Sequence, residues 1–141
     1  MTGEQSHIRA VDSLSANEFA VELDGEALTG VFSVSGLCSL SLDEDGRPRH
    51  RPLVLSKMVQ RGADLPANQW VRETLANPSA RVTRTLAVVA LDEGVEVRRW
   101  VYRDAWISQV AYSDFDSSSE VLVEERLTIQ HGGVEEVWPG R

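Results

Sequence analysis

Val82-Thr-Arg-Thr-Leu-Ala-Val-Val-Ala-Leu91, then Asp92-Glu-Gly94, then Val95-Glu-Val-Arg-Arg-Trp-Val-Tyr-Arg-Asp-Ala-Trp-Ile-Ser-Gln-Val-Ala-Tyr112 read as strand, tight turn and strand. The first run is rich in β-branched residues and is apolar at successive positions from Leu86 onward, the pattern of a strand buried on both faces. Asp-Glu-Gly supplies the turn chemistry. The second run is long enough for one long or bent strand or for two, with Asp104 near the break. A β-rich centre of this length commits the chain to a mainly β fold.

The flanks agree. Phe19, Val21 and Leu23 alternate with Ala20, Glu22 and Asp24, a period of two that describes a strand with one buried face. Asp24-Gly25 follows as a hairpin signal. A second strand region is expected from about Leu28 to Leu42, interrupted at Gly30 and Gly36, the latter suggesting a bulge or a close backbone approach. Beyond the centre, Val121, Val123, Leu127 and Ile129 alternate with Leu122, Glu124, Arg126 and Thr128. His131-Gly132-Gly133 ends that strand, and Val134–Trp138 is read as a last short one. The sole helix candidate runs from about Leu65 to Asn77, with Asp64 as its expected cap, Pro66 tolerated in the first turn and Asn77-Pro78 as the stop. Trp70, Val71, Thr74 and Leu75 share one face. Residues 1–17 form a polar lead-in. Residues 18–141 form the domain, with a long loop at about 43–64 that either is a plain insertion or reaches a neighbouring copy. The fold class is therefore a single-domain β-sandwich or barrel of six to eight strands with one short α-helix.

Composition sets the outer bounds. At 141 residues the chain holds one domain with a core of its own. It has one cysteine, Cys38, so it has no internal disulfide and no zinc framework. No apolar stretch is long enough to span a membrane, and no secretory signal is visible at the start, which implies synthesis in the cytoplasm. The net charge of −8 is unevenly spread. Residues 1–46 carry nine acids against Arg9, residues 47–110 carry eleven bases against six acids, and residues 111–141 carry seven acids against two bases. An acidic chain is a poor nucleic-acid binder. The basic centre can instead meet the acidic ends of another copy.

Catalytic chemistry is missing. His7, His50 and His131 lack metal-ligand spacing and are expected at the surface. Cys38 has no neighbouring base and is expected to be buried. Asp43-Glu-Asp-Gly46 lacks the later ligands of a calcium loop, and the cations of Arg47-Pro-Arg49 follow it. Glu124-Glu125 and Glu135-Glu136 are adjacent, so on strands their members face opposite sides and cannot form a dyad. Glu125 falls on an apolar face, which calls for an arginine partner from the central segment or a place at a subunit seam. Four tryptophans (Trp70, Trp100, Trp106 and Trp138) suit cores and interfaces. A carbohydrate-binding module using Trp106 or Trp138 as a platform is the reading from a different class.

The order of short motifs resembles the tail tube proteins of contractile phage tails and of related extracellular contractile injection systems. Phe19-Ala-Val-Glu-Leu-Asp-Gly25 and Gly30-Val-Phe-Ser-Val-Ser-Gly-Leu37 are similar to the family's first strand, turn and F-x-x-V-S-G-L strand. Lys57 through Gly62 followed by Trp70 resembles a loosened L-K-R-G turn before a Trp-bearing helix. Asp104-Ala-Trp106 stands where the family has N-A-W. Ser119-Glu-Val121, Glu124 or Glu125, and Leu127-Thr-Ile-Gln-His-Gly132 resemble the final strand. Asp104 replaces an asparagine, Ile107 a common proline and Ser119 an asparagine. The resemblance implies a structural inner tube subunit, not an enzyme, with no cofactor. It implies hexameric rings whose strands join into one inner barrel, stacking into a hollow tube, with sheath and baseplate proteins as partners and cargo in the lumen. A baseplate-proximal minor tube protein and a type VI secretion ring protein are variants of that reading. An acidic lumen would keep anionic cargo from sticking. The residues expected at contacts between subunits are Gly36, Arg61, Gly62, Asp104 and Glu125.

Overall fold

The run from Val95 to Tyr112 forms one strand of 18 residues, bent at Asp104. The structure, a computed structural model, describes residues 13–139. The first twelve residues of the expected lead-in, His7 among them, lie outside the described residues. The elements are β1 (Phe19–Leu23), β2 (Glu26–Ala27), β3 (Val31–Ser35), β4 (Leu53–Met58), α1 (Pro66–Ala76), β5 (Arg84–Asp92), β6 (Val95–Tyr112), β7 (Glu124–Gln130) and β8 (Gly133–Val137).

All pairings are antiparallel, in the order β2-β1-β5-β6-β7-β4-β3, with β8 also on β6. The bend divides this order into two layers. The first half of β6 lies between β5 and β8, and the second half pairs with β7. At the bend, Leu86 faces Tyr102 while Arg84 faces Ala105, so Arg103 and Asp104 together oppose Thr85. This bulge places Asp104 at φ 51° and turns the strand from one layer into the other. β8 continues the ladder of β7: Gln130 faces Trp106 and Gly133 faces Arg103, with only His131 and Gly132 between. Two strands thus pass through both layers.

The inner faces meet in one core. Leu53, Leu55, Leu86, Tyr102, Leu127 and Ile129 are fully buried, and burying such a side chain contributes about 1.5–3 kcal/mol. The helix closes this core with Trp70 and Val71. The Trp70 indole N–H donates to the Val82 carbonyl at 2.9 Å, so its one polar atom is satisfied. No helix of the described residues is long and apolar enough to cross a membrane.

Several local expectations are corrected. The strand region after Leu28 ends at Ser35, because Gly36 takes a positive φ. Part of the long loop is strand: Leu53–Met58 is β4, a central strand between β3 and β7. Helix α1 starts after Leu65, which makes no side-chain cap bond; Asp64 instead lies 3.6 Å from Arg72. Leu75 is exposed, so the helical stripe stops at Val71 and Thr74. Val121 and Leu122 are exposed ahead of β7. Cys38 is half-buried, its thiol reaching the Leu40 carbonyl. His131 is buried, not on the surface.

Candidate functional site

Among the described residues, the layer made by the second half of β6, β7, β4 and β3 has two free edges. Among the described residues, β3 pairs only with β4, and β6 over Trp106–Tyr112 pairs only with β7. The Ser113 N–H donates to the Glu124 carbonyl at 2.9 Å. Alternation along the strand then directs the N–H groups of Gln109 and Ala111 at β7, and those of Val110 and Tyr112 at the free edge. Counting strand reversals across the layer, β3 and β6 run antiparallel to each other. The two edges are therefore of matching direction for pairing between copies. A free edge of this kind is a template for another strand.

The five residues singled out in the sequence do not converge. Gly36 ends β3 at one end of this layer; Arg61 and Gly62 follow β4 at the other. Asp104 sits at the bend beside Gly132, whose N–H donates to the Arg103 carbonyl. Glu125 is held inside the chain. Its partner is Lys57 and not an arginine: Lys57 Nζ donates to Glu125 Oε1 at 3.0 Å and to the Met58 carbonyl at 2.9 Å. Both residues are buried. Burial and the adjoining Glu125 carboxylate raise the Tyr112 phenol above its ordinary pKa.

His131 ties the β7–β8 kink to the base of the 36–52 excursion. Its Nε2–H donates to the Arg51 carbonyl at 2.9 Å, and its Nδ1 accepts from the Gly133 N–H at 3.1 Å. Tyr102 meets the ring edge-on and His50 lies 5.4 Å away. This is a neutral imidazole in one tautomer, and burial keeps its pKa below the ordinary value. The unfolded chain therefore takes up this proton first as the pH falls. His131 contributes its full stabilisation above the usual histidine range, and that contribution declines below about pH 6.5. NMR titration is expected to place His131 below the ordinary histidine value; titration at or above that value would refute the assignment.

No group of three or more metal-ligating side chains is present among the described residues. An apolar groove of about 420 Å³ lies between Phe19, Phe32, Val88 and Trp100, and among the described residues Glu18 is the one ionisable residue in its lining. It holds no catalytic pair. The tryptophan platforms are also partly occupied. Arg81 lies over Trp106 at 4.3 Å and Arg98 over Trp138 at 4.5 Å, so one face of each ring is taken by a guanidinium. The acidic Asp43-Glu-Asp-Gly46 segment is a turn, with Asp43 Oδ1 accepting from the backbone N–H groups of Asp45 and Arg47.

Register fixes which side chains share the outward face of the free-edged layer. One row runs Ser33, Ser56, Arg126, Ala111, and the next runs Ser35, Val54, Thr128, Gln109. Glu124 pairs with Arg126 at 3.0 Å on this face. Sequence reading placed Lys57 in a turn, whereas it lies buried in β4, and it missed the β3 edge and the structural part of His131.

Comparison with known proteins places this geometry. The family described as T4-like virus tail tube protein gp19 matches residues 15–135. A subunit of the sheath–tube complex of an extracellular contractile injection system, PVC, in its extended state superposes with a TM-score of 0.71 at 17% identity, covering 94% of this chain and 97% of that one. The tube-terminating cap of the anti-feeding prophage gives 0.70 at 16%, covering 90% and 92%. Hcp1 from Flavobacterium johnsoniae gives 0.58 at 14%, covering 84% and 94%. Comparison with curated proteins gives no match.

Proposed function

Because the chain belongs to the T4-like virus tail tube protein gp19 family, and is thus a structural tube subunit, we propose that six copies close into a ring through the free edges of β3 and β6. Rings then stack into a hollow tube that associates with sheath and baseplate proteins in a contractile particle. The single observation that carries this reading is the four-stranded layer with two free, antiparallel edges. Pairing β3 of one copy with β6 of the next is a head-to-tail contact, and such contacts generate closed rings when the rotation closes. Ring closure satisfies edge groups that would otherwise promote uncontrolled association. Gly36, where β3 ends, and Asp104, where β6 enters the free-edged layer, are the residues we propose for this contact. Arg61 and Gly62 lie at the end of the layer, in reach of a stacked ring. Catalysis plays no part in this function.

Negative-stain imaging of concentrated protein is expected to show rings or hollow rods. Val110→Pro removes an N–H directed at the free edge while leaving the β7 ladder intact. It is expected to abolish rings and rods while the monomer keeps a cooperative unfolding transition. Wild-type protein that stays monomeric at every concentration would overturn the proposal, as would Val110→Pro protein that still forms rings.

A further inference from the structure

The outward face of the free-edged layer carries few charges, although the chain as a whole is at −8. Which way this face points in a ring follows from strand spacing, granting the six-copy ring proposed above. Four strands per copy at ~4.8 Å give a closed layer with a backbone radius of ~18 Å. The other layer, five strands wide and ~10 Å away, lies either inside or outside it. Inside, at a radius of ~8 Å, a circumference of ~50 Å would have to hold thirty strands that need ~144 Å. Outside, at ~28 Å, the circumference of ~175 Å accommodates them. Strand tilt widens both layers together and leaves the order unchanged. The free-edged layer is the inner one, and its outward face is the channel wall.

That wall is not acidic. It presents hydroxyls and amides from Ser33, Ser35, Thr128 and Gln109. Its Glu124 is matched by Arg126 on the same strand at 3.0 Å. Arg81, over the Trp106 ring at the β6 edge, adds a cation to that side. We propose that the channel wall carries no net negative charge, that the Glu124–Arg126 pair keeps it so, and that the channel fits cargo of mixed charge, such as a polypeptide. An acidic wall suits a polyanion, which it repels along its whole length. A wall of hydroxyls and amides with self-paired charges neither gathers nor repels one sign, so segments of either charge pass alike. This proposal departs from the expectation of an acidic lumen.

The test is ion selectivity of single assembled tubes seated in a solid-state nanopore under a potassium chloride gradient. Potassium and chloride ions have nearly equal mobility, so the reversal potential reports the charge of the wall. Wild-type tubes are expected to give a value near zero or on the anion-selective side. Arg126→Gln leaves Glu124 unmatched six times per ring and is expected to shift the value toward cation selectivity. Glu124→Gln is expected to shift it the opposite way, and Thr128→Glu substitutes for Arg126→Gln should that variant fail to assemble. Cation-selective wild-type tubes overturn the proposal. So do variants that assemble and leave selectivity unchanged, because their side chains then do not face the channel. Absence of any tube in the images overturns the ring reading itself, and the two failures are thereby distinct.

Discussion

Glu125→Ala lowers the stability of the folded chain by about 3–5 kcal/mol, because it strands a buried ammonium. Lys57 is fully buried, and without Glu125 its Nζ keeps only the Met58 carbonyl among its present acceptors. An ammonium satisfied by one neutral oxygen away from water is among the costliest defects a single substitution can create. The variant is expected to unfold at much lower urea concentration than wild type. Glu125→Gln is expected to fall short as well, since it keeps the shape but not the charge. The double variant Lys57→Met, Glu125→Leu is expected to recover most of the loss, because an apolar pair needs no compensation. A loss below about 1 kcal/mol in Glu125→Ala, the size of an ordinary hydrogen bond, would mean that Lys57 finds water when its partner is gone.

Gly36→Ala is expected to destabilise by two separable effects. The residue sits at φ +82°, where a Cβ is strained, and a Cβ built there would stand 2.6 Å from the Pro52 carbonyl oxygen. That oxygen is backbone at the entrance to β4 and cannot swing away as a side chain tip would. Gly46→Ala is the control. It has φ +77° and open space around the added atom, so it reports the conformational cost alone, about 1 kcal/mol. Gly36→Ala is expected to cost at least about twice that and to move β3 relative to β4. Equal losses in urea unfolding for the two variants would show that the β3–β4 junction yields and that the contact with Pro52 is not a constraint.

Both predictions rest on residues that the sequence disclosed unequally. Glu125 stood out because its parity matches Leu127 and Ile129. Lys57 has the same parity as Leu53 and Leu55, and register sets the three directly across from Glu125, Leu127 and Ile129. Two opposite charges, each closing an apolar series, were the available signal. It went unread because Pro48, Pro52 and Gly62 give the flanks the look of loop, and three apolar residues are short for a strand. The long β6 was legible from its β-branched and aromatic content, and its bend from Asp104. Continuity of β8 with β7 was not, since His131-Gly-Gly reads as a stop. The register shows that the chain passes through it, Gln130 facing Trp106 and Gly133 facing Arg103, and the buried imidazole bonded to Arg51 and Gly133 holds the step. The free edges were also illegible, because local pattern says which residues are strand but not which strands lack neighbours.

β6 and the β7–β8 pair run unbroken from one layer into the other. A push on one layer therefore travels to the other along covalent chain, and does not depend on apolar side chains that can slide over one another. Each subunit thereby resists shear between its two layers, and a tube built from such subunits would transmit thrust with little lost to internal give.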